Sequence, residues 1–408
     1  MRLLKQWPHM QLASICTKIG SGSTPRGGDG VYVDAGTAII RSQNIYNGKF
    51  SVGGLAHLTE KHAEQLNGVT VESRDVLLNI TGDSVARCCS VPEWVLPARV
   101  NQHVAIVRPD SSQLLPEFLC YYFVSPLMQK YLLSRAGSGG TRNALTKGMI
   151  ESLEVPCPDL ATQQRVVNLL RNYDDLIENN RRRIQLLEQA ARLLYKEWFV
   201  HLRFPGHEHV KIKDGVPEGW EKKLLGDIIS TNPDSYQARE LPDEINYIDI
   251  SSVAQGHIIS KTPLSSTEAP GRARRKAKNG DVIWSNVRPN LRAYALILDP
   301  EENDVFSTGF TVLSPEGVPF TYLYLTVTTD EFVSHLVNHA TGVSYPAVRP
   351  DDFERAAVLV PPKQILEVFQ EKTEPSFRLK SVLEKEIKAL TKARDLLLPR
   401  LMNGEVVA

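Results

Sequence analysis

The side chains of this 408-residue chain best suited to chemistry are hydrogen-bond donors gathered in short loops. Residues 20–28 interleave glycines with Ser21, Ser23, Thr24 and Arg26, placing backbone N–H groups, hydroxyls and a guanidinium close together. Residues 136–143 repeat that chemistry with Ser138, Thr141, Arg142 and Asn143, shortly before Lys147. Thr341, Ser344 and Tyr345, leading to Arg349, form a comparable loop further on. Such donors hold phosphate oxygens, whereas Arg reads guanine edges and Asn or Gln reads adenine edges. Arg41, Gln43 and Asn44, at the end of an expected strand, are side chains of the reading type. The most basic run holds Arg272, Arg274, Arg275, Lys276 and Lys278, and Asn286, Arg288, Asn290 and Arg292 follow it. Alternation from Trp284 to Arg292 predicts these donors on one face of a strand or hairpin. One such loop alone is most simply a solvated turn. The set together favours a binding face for nucleic acid.

Catalytic signatures are missing from the sequence. It has no Gly-x-x-x-x-Gly-Lys-Ser/Thr phosphate loop. The glycines of residues 137–140 lack the surrounding βαβ unit of a dinucleotide site. Asn232-Pro233-Asp234-Ser235-Tyr236 lacks the second proline of the Asn-Pro-Pro-Tyr motif of amino-methyltransferases, and it reads as a turn. His201, His207 and His209 cluster, and His335 and His339 are four apart, but neither set has the Cys or Glu of a zinc site. The chain is expected to be no enzyme and to hold no metal or cofactor.

The elements that position these loops come from an internal duplication at a spacing of roughly 205 residues, far longer than any solenoid repeat. A Trp and a Leu-containing stretch open each half, at residues 7–15 and 220–229. Residues 40–48 then match 248–256, residues 75–79 match 281–285, and residues 102–107 match 308–313. Each half closes on a strand into prolines, at residues 155–158 and 360–362. After each proline pair the periodicity turns helical. From Leu170 the apolar positions run Tyr173, Ile177, Asn180, Ile184, Leu187, Ala191, Leu194 and Trp198, a heptad seam with one polar member. A helix over 162–200 is roughly 55–60 Å long. The second copy, over 363–402, carries Ile365, Phe369, Leu379, Leu383, Ile387, Leu390, Leu397 and Leu401, and Pro375 is expected to break or kink it. A seam needs a partner, so the two helices are expected to pair antiparallel, holding two similar heads at a set separation. Arg181, Arg182 and Arg183 lie mid-helix, as a solvated face or as contacts to phosphate between the heads.

Composition narrows the class. With 42% apolar and 23% charged residues the chain is ordinary globular protein rather than disordered, collagen-like or membrane-spanning. Lys plus Arg and Asp plus Glu both number 47, so any nucleic-acid site must be built from locally clustered charge. No apolar run approaches the roughly 18 residues of a membrane span. Five cysteines without a Cys-x-x-Cys pair point to buried thiols in a reducing, cytoplasmic setting.

Several stretches resemble the specificity (S) subunit of type I restriction–modification systems. They are Leu193-Leu194-Tyr195-Lys196-Glu197-Trp198-Phe199 running into Arg203-Phe204-Pro205-Gly206-His207, then Val216-Pro217-Glu218-Gly219-Trp220. Residues 398–406 and Gln163-Gln164-Arg165 add to them. Pro375 and Lys363-Gln364 depart from the family pattern at the second helix. The resemblance implies an α+β fold with two tandem mixed α/β target-recognition domains, at 1–158 and 206–362. Two long helical spacers, at 159–205 and 363–408, pair as an antiparallel coiled coil. It implies that each domain reads half of a bipartite, asymmetric site on double-stranded DNA. It further implies docking of two methyltransferase subunits and association with restriction/translocase subunits, which carry adenine-N6 methylation and ATP-driven cleavage. The alternative is a coiled-coil adaptor that organises a protein assembly without reading DNA.

Overall fold

Short, continuously apolar segments form the central strands. Val76–Asn79 and Val282–Ser285 are buried at every residue, as strands covered on both faces must be. Val76 and Leu78 face a core with Phe118, Phe123 and Leu170, while Leu77 faces Ile40, Val100 and Ile106. The second copy repeats this: Val282 and Trp284 join Tyr322, Phe353 and Phe369, and Ile283 joins Ile248, Phe306 and Val312. The period-two alternation of a strand thus divides each half into two cores.

The computed structural model describes residues 7–137, 143–237 and 239–406. The chain forms two units, one from residues up to Glu178 with those from Ile387 onward, the other Asn179–Glu386. Among the described residues no helix is long and apolar enough to cross a membrane.

In the first unit an antiparallel sheet has the order Cys88–Ser90, Val76–Asn79, Val104–Pro109, Cys16–Ser21. A second, mixed sheet holds Thr37–Ile40 and Ala98–Val100 as a parallel pair, with Ala98 opposite Ala38. The other unit has an antiparallel sheet ordered Ile229–Thr231, Phe310–Pro315, Val282–Ser285, Tyr294–Leu296. Its mixed sheet pairs Glu244–Ile248 parallel with Asp304–Ser307. Each unit also has a closing ladder, His9–Gln11 with Glu154–Pro156 and Glu221–Leu224 with Ala357–Val360. The repeat read in the sequence is therefore a repeat of topology, and we call the two α+β portions head 1 and head 2.

Two long helices follow the heads. The first is Leu160–Tyr195, continued by a wider turn over Lys196–Val200, and the second is Lys363–Met402. In the first unit Val166, Val167 and Leu170 pack with Leu398, Leu401 and Met402. In the other, Asn180 donates to Glu386 at 2.9 Å and Glu188 pairs with Lys380 at 3.2 Å. Partner numbers fall as those of the first helix rise, so the helices run antiparallel. Ile177, Asn180, Ala191 and Trp198 are all buried, as the heptad reading places them.

The second helix corrects two expectations. It continues through Pro375 without a break. Pro375 is exposed, while Phe369 and Phe377 on either side are 0% and 1% exposed. Their burial offsets the roughly 3 kcal/mol that an interior proline costs. The seam there follows Phe369, Thr373, Phe377 and Lys380 rather than Leu379, which is 37% exposed.

Candidate nucleic-acid interface

Strand polarity gathers the polar loops at one end of each head. In head 1, Cys16–Ser21 and Val76–Asn79 finish where Val104–Pro109 begins, because Ala105 lies opposite Ser21 and Val104 opposite Asn79. The parallel strands Thr37–Ile40 and Ala98–Val100 finish together, and Asn101 N–H donates to the Ile40 carbonyl at 3.1 Å. Buried Asn79 joins the sheets by donating from its amide to the Ser42 carbonyl at 2.9 Å. Residues 22–26, 41–44, 80–87 and 101–103 therefore share one end. Ile80 and Gly82 bring in residues 143–145, since Leu145 N–H donates to the Ile80 carbonyl and Gly82 N–H to the Asn143 carbonyl.

Head 2 builds the same end with different side chains. Asn286 N–H donates to the Gly309 carbonyl at 2.8 Å, as Ile80 N–H does to that of His103 at 3.0 Å. Val348 and Arg288 repeat the bonds of Leu145 and Gly82, donating to Asn286 and Pro346. Backbone conformation repeats too. Gly82 and Ala86 have φ of 75° and 71°, and Arg288 and Arg292 have 51° and 55°. A left-handed non-glycine residue costs about 1–2 kcal/mol, so head 2 holds both arginines in place at an energetic cost.

The candidates from the sequence fall into several groups. In head 1, Ser21, Ser23, Thr24 and Arg26 are exposed at the strand end. Gly22 between them is required, because a Cβ there would lie 2.1 Å from the Val100 carbonyl oxygen. Arg41 and Gln43 both donate to the Gly54 carbonyl, and the Arg41 guanidinium lies 5.3 Å from the Tyr32 ring centre. Asn143 and Lys147 are exposed, Lys147 beside Glu151. Ser138, Thr141 and Arg142 lie outside the described residues.

In head 2, Arg272 is exposed beside Thr308, whose N–H its carbonyl accepts. Arg274 donates to the Ala273 carbonyl, and half-buried Arg275 donates to Ser235 Oγ at 3.0 Å. Burial lowers the pKa of Arg275. The Lys276 amine lies 4.2 Å from the Tyr236 ring centre and 3.5 Å from Asp234. Exposed Arg288 lies 4.6 Å from the Tyr345 ring centre and donates to the Ser344 carbonyl at 3.2 Å. Thr341 and Ala347 exchange two 2.9 Å backbone bonds, closing a loop from which Ser344 and Tyr345 project. Asn290 and Arg349 are exposed.

Two expectations need correction. Asn44 is 0% exposed; its amide oxygen accepts from Arg41 N–H, and its nitrogen donates to the Ser51 and Gly53 carbonyls. It shapes its turn and has nothing left for a base. Asn286 is half-buried, and its amide oxygen accepts from Thr311 Oγ1 at 2.7 Å. The expected strand face from Trp284 to Arg292 is absent. The strand stops at Ser285, Trp284 is buried with its indole N–H on the Val327 carbonyl, and Pro289–Leu291 is a 3-10 turn. Arg292 pairs with Asp330 at its edge.

Sequence reasoning missed the head 1 equivalent of the Arg288–Arg292 loop. Thr81 Oγ1 and His103 Nδ1 are 2.6 Å apart there, Gln102 adjoins His103, and the Arg87 guanidinium lies 5.0 Å from the ring centre of exposed Tyr46. Extending the match of residues 75–79 with 281–285 by eight positions finds it. The histidines have local roles: His335 Nε2 contacts the Asp352 carbonyl and His207 Nδ1 that of Phe204. Among the described residues no His, Cys, Asp or Glu group is arranged to hold a metal.

Each head thus presents arginine or lysine beside an exposed or half-exposed tyrosine, with hydroxyls and amides around them, at the end of a two-sheet frame. Each of the two units carries one such loop end. Residues 5–189 match the type I restriction modification DNA specificity domain. The MjaIX type I restriction enzyme specificity subunit of Methanocaldococcus jannaschii is 26% identical over 76% of this chain and 73% of its own length. The HindI specificity subunit of Haemophilus influenzae is 23% identical over 75% of this chain and 81% of its own. The crystal structure of a type I restriction–modification S subunit from M. genitalium covers 98% of this chain and 97% of its own, with a TM-score of 0.63 and 16% identity. The chain is thus similar over most of its length to specificity subunits of type I restriction–modification systems, and its first 189 residues carry the match to their DNA specificity domain.

Proposed function

We propose that each head reads one half of a bipartite, asymmetric site on double-stranded DNA through its loop end. Head 1 uses residues 21–26, Arg41, Gln43 and Asn143–Lys147, with Thr81, Arg87, Gln102 and His103 added. Head 2 uses Arg272–Lys276, Arg288, Asn290 and residues 341–349. The recognition domains are residues 1–158 and 206–362, and the helical segments set the unread spacer between half-sites. The helices dock two methyltransferase subunits, which methylate adenine N6, and restriction/translocase subunits join that assembly in the cytoplasm. The observation that carries this reading is the duplicated constellation: the same backbone bonds and left-handed positions recur in both heads, while the side chains they display differ. That is the arrangement for reading two unlike sequences with one scaffold.

The test is the salt dependence of duplex binding by the chain assembled with its partner subunits. Affinity is expected to fall by about 10³-fold or more between 50 and 200 mM salt if six or more phosphates are neutralised. An assembly indifferent to duplex and to salt would be the structural adaptor instead.

A further inference from the structure

Beneath the reading end of head 2 lies a charged cluster that the reading face itself does not use. Lys380, on the second long helix, is only 7% exposed. Its amine donates to the Gly256 carbonyl at 2.8 Å and to Glu188 Oε2, on the first long helix, at 3.2 Å. Glu188 Oε1 accepts from Arg192 at 2.8 Å and from the Tyr324 hydroxyl at 3.0 Å. Burial pushes the Glu188 carboxyl pKa up, but Lys380 and Arg192 outweigh it and hold the group below its ordinary value. Arg192 reaches on to Thr328 Oγ1 at 3.0 Å and to the Tyr294 hydroxyl at 3.3 Å.

Gly256 is the point of attachment. It sits in the turn between Val253–Ala254 and His257–Ile258, just after the Ile250–Ser252 turn that matches residues 42–44. Its N–H donates to the Tyr294 carbonyl at 2.9 Å, and Tyr294 is two residues beyond Arg292. Its φ is +83°, and a Cβ would lie 3.1 Å from the Tyr324 hydroxyl, so the site is closed around a glycine. The cluster therefore holds the Gly256 turn directly and, through the bond to Tyr294, the start of the strand that follows the Arg288–Arg292 loop. Burying this much charge is weak evidence for stability, and the best-attested use of such groups is to fix register.

Head 1 has a comparable tie to the helices, with the Tyr121 hydroxyl donating to Asp174 at 2.7 Å and Arg394 donating to Asp174 at 2.6 Å. Among the described residues, however, no helix cation is bonded to its matching turn. Gly48, the match of Gly256, donates to the Cys88 carbonyl at 2.8 Å. Asn47 beside it donates to Gln129, whose amide donates to the Ala86 carbonyl at 2.8 Å. Gln129 lies on Pro126–Gly137, a helix of the head itself.

We propose that Lys380 is a positioning residue for head 2, so that discrimination at the second half-site depends on a lysine of the spacer helix, whereas the matching turn of head 1 is held by Gln129 of the head itself. This rests on the proposal that the heads read DNA.

The test uses the assembled complex and compares affinity for the cognate duplex with duplexes changed at one base in either half-site. Wild type must discriminate at two separate halves; if it does so at neither, the DNA-reading proposal falls and takes this inference with it. Arg288→Ala identifies the half read by head 2. In that half Lys380→Met is expected to lower the discrimination ratio about tenfold while the other half stays within about twofold. Lys380→Arg should recover most of the loss, and Gln129→Leu should show the opposite pattern. With the base-reading residues intact, an unchanged ratio at both halves, or an equal fall at both, overturns the positioning role. If Lys380→Met assembles poorly, Tyr324→Phe removes only the hydroxyl bond to Glu188. It should lower the same ratio to a smaller degree, and no change in that ratio overturns the proposal.

Discussion

Arg288 and Asn44 look alike as candidates on paper, yet their surroundings assign them opposite work. Arg288 is exposed and braced by Tyr345, so Arg288→Ala is expected to cost about 1–3 kcal/mol and relax one base position. Asn44 is spent on its own turn, so Asn44→Ala should cost about 1–3 kcal/mol of folding stability and leave base preference unchanged. Duplex affinity beside a denaturation curve separates the two outcomes. A second contrast concerns two matched aspartates. Asp75 is held by Arg108 at 2.6 Å, whereas Asp281 has Ser314 at the matching place. Burial then pushes the Asp281 carboxyl pKa up. A carboxyl raised in the folded state favours folding below its unfolded pKa of about 3.9, and that benefit is lost as pH rises through the folded value. Asp281→Asn should therefore leave melting temperature unchanged near pH 3 and raise it at pH 7. An equal shift at both pH values would contradict burial as the cause.

The elements show which parts of the structure were legible in the sequence. Heptad spacing located the first long helix and its buried seam, because 3.5-residue periodicity is a local signal. Proline at 375 misled, since local propensity knows nothing of Phe369 and Phe377 packing on either side. Pro375→Ala restores an N–H to the Glu371 carbonyl and is expected to raise stability by up to about 3 kcal/mol, read from the denaturation midpoint. A fall in the midpoint would mean that the proline shapes the seam. The short apolar strands were legible, and so was their duplication. The Arg288–Arg292 loop was not, because alternating donors look like a strand until left-handed residues turn the chain out of it. Its head 1 counterpart, residues 82–86, carries no arginine to draw attention and is found only through the matched topology.

For the whole molecule, balanced charge does not oppose DNA binding. Acidic groups such as Asp75 and Asp304 are drawn into ion pairs within the frame, while exposed arginines such as Arg26, Arg272 and Arg288 stand at the loop ends. Separating frame from loops should make the heads exchangeable. The most direct test replaces residues 206–362 with the matching segment of another specificity subunit, assembles the chain with its partner subunits, and maps methylated adenines across a genome. The prediction is a bipartite motif in which one half changes to the donor's sequence and the other is retained with the spacer length. A motif altered in both halves, or in neither, would contradict independent reading by two heads.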